Sequence, residues 1–225
     1  FLRGSGQACV ISERSMEYII HLLILMSIFS ILGIGLNLVV GYTGLISVTH
    51  AAFYGIGSYA TAIFMKSLGV NFFIALLIGV VFSAIASFLI GLVLSIFKDD
   101  YYVLASLGFN IIVWSVFLNW QNLTRGPLGI PAIPRPEIFG LQFSENIFFL
   151  VLSLVFVVLV YGISQYITRS SFGRLLKAIR EDEKAIQVFG YNTHMYKLTI
   201  FVIGAVFASA AGSLYATYIT FIDPS

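Results

Sequence analysis

The chain reads as an all-α protein: a polytopic bundle of membrane-crossing helices with an amphipathic helix on its cytoplasmic side. Three observations predict this. Hydrophobic residues make up 59 % of the 225 positions and charged residues 10 %, where a soluble domain carries about 25 % charged residues. The charges are gathered, so that stretches 18–65, 67–97, 101–124, 146–168 and 198–222 contain no Asp, Glu, Lys or Arg. Six of the twelve Lys and Arg fall in one polar segment: Arg169, Arg174, Lys177, Arg180, Lys184 and Lys197. Such a cluster between apolar runs marks a cytoplasmic loop.

A helix needs about 20 apolar residues to cross a bilayer. Stretch 18–65 is long enough for two crossings and the other four for one each, about six in all. The middle of 18–65 is interrupted by Gly33, Gly35, Asn37, Gly41, Thr43 and Gly44, followed by Ser47, Thr49 and His50. Glycine costs a helix interior about 1 kcal/mol relative to Ala, and polar side chains at membrane depth need protein or water partners. This stretch is expected to be either a tight turn between two spans or an unwound segment of the kind that lines transport pathways. Asn37, Thr43, Ser47 and His50 are therefore candidates for lining a solute path.

Stretch 67–97 carries Gly79, Ser83, Ser87 and Gly91 at four-residue spacing, which places small residues on one helix face and lets backbones approach closely. Gly204, Ala208 and Gly212 repeat the pattern in 198–222, and Ala51, Gly55, Ser58 and Ala62 make a looser version. A tightly packed bundle explains these stripes better than any catalytic role. Stretch 101–124 is aromatic, and Trp120 near its end fits an interfacial belt. Asn110 sits deeper, either beside the path or as a helix–helix hydrogen-bond partner. Stretch 146–168, rich in Val, Leu and Phe, is expected to face lipid.

Between 121 and 145 lie Pro127, Pro131, Pro134 and Pro136 with Gly126 and Gly129. This connection cannot be a regular helix or a central strand. It is either a solvated linker or a stiff docking surface. Its Asn122-Leu123-Thr124 matches a glycosylation sequon too short to outweigh chance. With the basic loop in the cytoplasm, the Pro-rich loop and Lys66 lie outside and Lys98-Asp99-Asp100 inside. The N-terminal side is outside if 18–65 crosses twice and inside if its broken part re-enters.

The basic segment has its own apolar face. Phe172, Leu175, Leu176, Ile179, Ile186 and Phe189 recur at helical spacing. Ser170 or Ser171 can cap the start, and Gly190 and Asn192 can end it. Glu181-Asp182-Glu183 either continues the helix or marks a bend before a second short one from Lys184. Anionic lipid would repel that acidic triplet, so a protein partner is the better reading of the face.

Residues 1–15 lack the apolar character of the long run that Met16 opens. They are expected to be a non-native or disordered extension, with Met16 the native start and 16–225 one transmembrane domain. The stop at Ser225, straight after Asp223-Pro224, reads as a cut. A net charge of +2 gives no basic surface for nucleic acid outside the loop. The single Cys9 cannot form an internal disulfide. No Gly-rich loop followed by Lys-Ser or Lys-Thr is present to bind ATP, and His21, His50 and His194 are too scattered for a metal cluster. The uncharged spans hold no acid to relay a proton and no catalytic constellation for a membrane-embedded enzyme.

Several motifs occur together and in order. They are Gly35-Leu36-Asn37-Leu38-Val39-Val40-Gly41-Tyr42-Thr43-Gly44-Leu45-Ile46-Ser47, Ala52-Phe53-Tyr54-Gly55-Ile56-Gly57-Ser58-Tyr59, and Thr124-Arg125-Gly126-Pro127-Leu128-Gly129-Ile130. After them come Phe172-Gly173-Arg174, Ile179-Arg180-Glu181-Asp182-Glu183-Lys184-Ala185 and Phe189-Gly190-Tyr191-Asn192. Together they resemble the permease subunits of branched-chain amino acid ABC importers, over nearly all of 16–225. The resemblance implies a bacterial inner-membrane subunit that pairs with a second permease. It implies two cytoplasmic ATPases carrying ATP and Mg, a binding protein that delivers solute from outside, and no cofactor in this chain. It also implies that segment 169–197 contains the helix that couples to the ATPases, through Phe172, Leu176, Ile179, Arg180, Glu183, Ala185 and Gly190. Importer permeases carry there a Glu-Ala-Ala pattern and a later Gly. Here Lys184 replaces the first Ala and Gly190 comes one place late.

Other solutes and classes compete with this expectation. Related permeases carry urea or short amides, and nothing in the spans chooses between these and leucine, isoleucine or valine. An ATP-independent channel would need a pore ring or filter and no ATPase-docking loop.

Overall fold

The computed structural model of the chain describes residues 4–97, 100–138, 141–142 and 146–224. Lys98, Asp99 and Glu145, and residues 1–3 of the expected N-terminal extension, lie outside the described residues. The long helices are α1 (Gly4–Thr43), α2 (His50–Leu68), α3 (Phe72–Leu94) and α4 (Asp100–Asn119). After the short α5 (Gln121–Thr124) come α6 (Asn146–Arg169), α7 (Ser171–Glu181), α8 (Glu183–Val188) and α9 (Thr193–Ile219). The strands are two residues each: β1 (Ile130–Pro131), β2 (Glu137–Ile138), β3 (Leu141–Gln142) and β4 (Phe221–Ile222).

Among the described residues five helices are long and apolar enough to cross a membrane: Met16–Thr43 of α1, α3, Tyr101–Asn119 of α4, α6 and α9. The expected sixth crossing, α2, is as long as the α4 span but more polar, and it packs among them against α9 and α3. In α9, 72 % of the most apolar window is inside the molecule, against 11–28 % in the other four. The bundle is therefore organised around α9, with α1, α2 and α3 packed on it and α4 and α6 outside. Val151, Val155, Val158 and Leu159 of α6 are exposed, as a lipid-facing helix requires.

The small-residue stripes lie at these contacts. Gly79, Ser83, Ser87 and Gly91 are all buried, and the Ser83 hydroxyl donates to the Ala205 carbonyl at 3.2 Å, joining α3 to α9. A methyl group on Gly212 would collide with the Tyr54 carbonyl of α2, and one on Gly57 with the Ser209 carbonyl of α9. The Thr61 hydroxyl donates to Ser213 at 2.8 Å beside that crossing. In the looser stripe Ser58 and Ala62 are buried, but Ala51 is exposed.

The turn between two spans is present, but it comes after most of the Gly-rich stretch, which is not unwound. Gly33, Gly35, Asn37 and Gly41 belong to one uninterrupted helix that runs to Thr43. The break comes only at 44–49, where Gly44 takes φ +71° and starts the connection to α2. The reason is packing: a Cβ on Gly35 would stand 3.1 Å from the Gly204 carbonyl, so glycine here admits α9 rather than ending α1.

Contacts fix the relative direction of each helix. Tyr42, at the end of α1, lies under Lys177 of the basic segment, 5.2 Å from ring centroid to Nζ. At the other end of α1, His21 Nδ1 is 2.6 Å from the Tyr218 hydroxyl near the end of α9. With the basic segment cytoplasmic, the start of α1 lies outside and α1 and α2 cross as a pair. The Pro-rich connection then lies outside, where it is pinned. β1 pairs antiparallel with β4, Ile130 opposite Ile222, and the Lys66 ammonium donates to the Pro131 carbonyl.

Candidate functional site

The basic segment folds into two helices, not one continuous amphipathic helix. Ser170 caps α7 by accepting from the Gly173 amide at 3.4 Å. Asp182, extended at φ −151°, ends α7 and caps α8 by accepting from the Ala185 amide at 3.0 Å. Competition between the acidic side chain and the helical backbone explains the bend. Gly190, at φ +87°, closes α8, and Asn192 caps α9 by accepting from Met195.

The apolar face of α7 turns into the bundle. Leu176 and Ile179 are 1 % and 2 % exposed, and the Phe172 ring packs on Tyr196 of α9 with centroids 5.4 Å apart. These candidate coupling residues are covered by the chain itself, so a protein below the membrane cannot touch Leu176 or Ile179 directly. Arg180 is turned upward as well, its Nη1 donating to the Gly41 carbonyl at 2.5 Å. That carbonyl belongs to the last turn of α1, where the helix leaves acceptors unfilled and favours a cation.

Glu183 holds α8 to α9. It accepts from the Thr193 hydroxyl at 2.9 Å and pairs with the Lys197 ammonium at 2.6 Å. Burial pushes its carboxyl upward, but the Lys197 and Thr193 donors outweigh this and hold it below the usual carboxylate range. Ala185 and Gly190 are exposed. Beside them Val188 and Phe189 are 87 % and 78 % exposed, an apolar tip on the polar underside of the molecule. The sequence periodicity placed Phe189 on the same face as Leu176; the bend at Asp182 separates them. Thr193 and Lys197 carry no local sequence signal as partners of Glu183, because they are distant in sequence and lie on the next long helix.

Among the described residues the bundle has an inner and an outer cleft. The inner cleft, about 800 Å³, opens beside the basic segment and is bordered by Thr43, Tyr102, Arg180, Glu183, Lys197 and Phe201. The outer cleft, about 540 Å³, lies between α2, α4 and the end of α9, with Tyr59, Asn110, Trp114 and Phe117 in its wall. Fully buried Phe53 packs on Phe109 (centroids 6.2 Å) and Phe201 (5.5 Å). Ala52 and Asn110, next to Phe53 and Phe109 in sequence, line the outer cleft, whereas Phe201 lines the inner one. The aromatic trio joins α2, α4 and α9, and its Phe201 borders the inner cleft.

The candidate path residues do not form one file. Thr43 borders the inner cleft, with its hydroxyl spent on the Val39 carbonyl at 2.6 Å. Ser47 is buried, 2.7 Å from the Thr49 hydroxyl. His50 is buried at the start of α2, its Nε2 3.0 Å from where a Gly204 Cβ would stand, and neither ring nitrogen has a well-formed hydrogen bond. Asn110 borders the outer cleft. Asn37 is exposed on α1, folded over Gly41, and borders neither space.

Comparison with known proteins gives the family. The family described as branched-chain amino acid transport system / permease component matches residues 18–225. The chain is 36 % identical over 220 residues to the high-affinity branched-chain amino acid transport system permease protein LivM of Escherichia coli K12, covering 88 % of this chain and 52 % of LivM. The LivM of Salmonella typhimurium LT2 is equally similar. The permease protein LivH of Escherichia coli K12 is 27 % identical over 218 residues, covering 88 % of this chain and 69 % of LivH. The chain spans about half the length, 52 %, of the two LivM relatives. No solved structure matches. The chain therefore belongs to the branched-chain amino acid transport system permease family, and is a multi-pass protein of the bacterial inner membrane.

Proposed function

We propose that this chain is the membrane subunit of an ATP-driven importer of branched-chain amino acids, with ATP and Mg bound and hydrolysed on partner subunits. The observation that carries the reading is the α7–α8 element. It presents an exposed apolar tip, Val188 and Phe189, below the membrane, while Arg180 and Glu183 brace it to α1 and α9. A push on that tip is delivered to the last turn of α1 and the first turn of α9, which both border the inner cleft. The chain itself needs no nucleophile or metal for this role. A second permease, two ATPases and an extracytoplasmic binding protein complete the assembly. Relatives carry the names of both LivM and LivH, which supports a pair of unlike permeases.

Co-purification from the native membrane followed by reconstitution into vesicles tests the reading. Uptake of leucine, isoleucine or valine is expected only with ATP, the ATPases and the binding protein present. Flux without ATP would mark a channel. ATP-driven uptake of urea or short amides with none of leucine would change the solute class.

A further inference from the structure

We propose that the outward face of α1, with the outer cleft beside it, is the surface on which a transmembrane helix of the second permease packs; this rests on the importer reading and names where the two permeases meet. Met26, Ser30, Gly33 and Asn37 recur at steps of four, three and four, so they share one helix face. All four are exposed. Lipid is a poor occupant for them. Asn37 lies six residues from the end of the Met16–Thr43 span, about 9 Å along a helix. That span of 28 residues is about 42 Å long against a hydrocarbon core of roughly 30 Å, so Asn37 is past the headgroup layer. Its carboxamide folds over Gly41 and makes no hydrogen bond to another described residue. An amide left unpaired at that depth is costly.

Gly33 has nothing within 4 Å of where its Cβ would stand, whereas Gly79, Gly91, Gly204 and Gly212 of the internal stripes each meet a neighbouring helix. Gly162 of α6 is equally open, but Val155, Val158 and Leu159 on its face are apolar and exposed, as hydrocarbon requires. Only the α1 face joins an open glycine to an unpaired amide. Phe29, exposed beside this stripe, also borders the outer cleft, so the two surfaces are continuous. Within the cleft Tyr59 is 4 % exposed and its hydroxyl oxygen has no hydrogen-bond partner. Its ring is held by stacking on Phe117, with centroids 4.5 Å apart. A buried hydroxyl without a partner is costly, and the space of about 540 Å³ admits side chains from a helix crossing beside it. The occupant that meets these demands is itself embedded in the bilayer. It brings a small residue opposite Gly33, which lets backbones approach, and polar groups that pair with Asn37 and Tyr59. The importer reading supplies it as an unlike permease, since LivM and LivH of one organism both resemble this chain.

The test uses the complex in its native membrane. Met26→p-benzoylphenylalanine and Val158→p-benzoylphenylalanine each replace an exposed apolar side chain, one on α1 and one on α6. After irradiation the adducts are identified by peptide mass spectrometry. The Met26 position is expected to join a second permease in about fivefold or greater excess over the Val158 position. Gly33→Leu, whose side chain meets nothing in its own chain, is expected to lower recovery of the second permease in detergent by about tenfold. The amount of this chain in the membrane should stay unchanged. Adducts from the Met26 position to lipid alone or to a second copy of this chain, equal yields from the two positions, or full recovery of the second permease with Gly33→Leu would each overturn the proposal. Neither readout needs ATP or solute. Failure of the importer reading shows separately, as a wild-type complex that keeps its second permease but takes up no leucine, isoleucine or valine with ATP.

Discussion

The guanidinium of Arg180 donates to the carbonyl oxygen of Gly41 at 2.5 Å, across 139 positions of sequence. This bond joins the cytoplasmic element directly to the last turn of the first span. Lys177 over the Tyr42 ring makes a second contact between the same two helices. A helix end offers unfilled carbonyls and a partial negative charge, so one arginine both satisfies α1 and attaches α7 to it.

Arg180→Ala should therefore loosen the connection without removing the element. Uptake per ATP hydrolysed is expected to fall by roughly fivefold or more, the scale of a lost coupling energy of 1 kcal/mol upward. Co-purification of the ATPases should persist. Arg180→Lys should recover part of the loss, because an ammonium keeps the charge but not the fork geometry. Simultaneous measurement of hydrolysis and uptake in vesicles checks this, and unchanged stoichiometry in Arg180→Ala would remove the bond from the transmission path.

Glu183 gives a pH prediction. Its folded-state carboxyl lies below the ordinary range because the Lys197 and Thr193 donors outweigh its burial. A depressed acid contributes stability above its unfolded pKa, near 4.3, and loses it as pH falls through the folded value. The α8–α9 attachment should thus be constant across neutral pH and release only under acid conditions below the usual carboxylate range. Glu183→Gln should remove that acid dependence and raise hydrogen exchange at Thr193 and Lys197 at neutral pH. Exchange followed by mass spectrometry at pH 7 and in mild acid reads both effects.

The glycine crossings predict unequal tolerance. Gly212→Leu would drive a side chain into the Tyr54 carbonyl, whereas Gly162 on α6 has nothing within 4 Å of its missing Cβ. Overpacking of this kind costs about 1–3 kcal/mol. Gly212→Leu is expected to lower the melting temperature in detergent by roughly 5 °C or prevent folding, and Gly162→Leu to leave it within a degree. Comparable losses in both would mean that α9 does not hold the bundle as described.

Much of the fold was legible because a bilayer forces each span to declare itself. An uncharged run of sufficient length has few alternatives, and the stripe at Gly79, Ser83, Ser87 and Gly91 announced a packing face that the structure buries. The Gly33–Gly41 stretch misled for the same reason. Small residues admit a neighbouring backbone or end a helix, and only the position of α9 shows that here they admit one. The path candidates share polarity and Gly-rich or mid-span positions, but a helix turns Asn37 outward while it turns Thr43 toward the inner cleft. Nothing in the local pattern near Tyr59 marks its hydroxyl as unpartnered, since that depends on which side chains of α4 and α9 surround it.

The cytoplasmic face yields the sharpest division. Amphipathicity states that the apolar side of 172–189 must be covered, not by what. The chain covers Leu176 and Ile179 itself and leaves Val188 and Phe189 bare, so substitutions on the two groups should fail in different ways. Leu176→Ser places a hydroxyl in a fully buried apolar site, which costs several kcal/mol through lost burial and packing. It should reduce the amount of folded protein in the membrane. Phe189→Ser alters a side chain that touches solvent. It should leave folding and melting temperature unchanged and weaken the hold on the ATPases by about tenfold or more, as loss of an aromatic interface anchor does. Membrane abundance, melting temperature and ATPase retention on an affinity column separate the two. A Phe189→Ser complex that keeps its ATPases through stringent washing would show that the motor grips elsewhere on the underside.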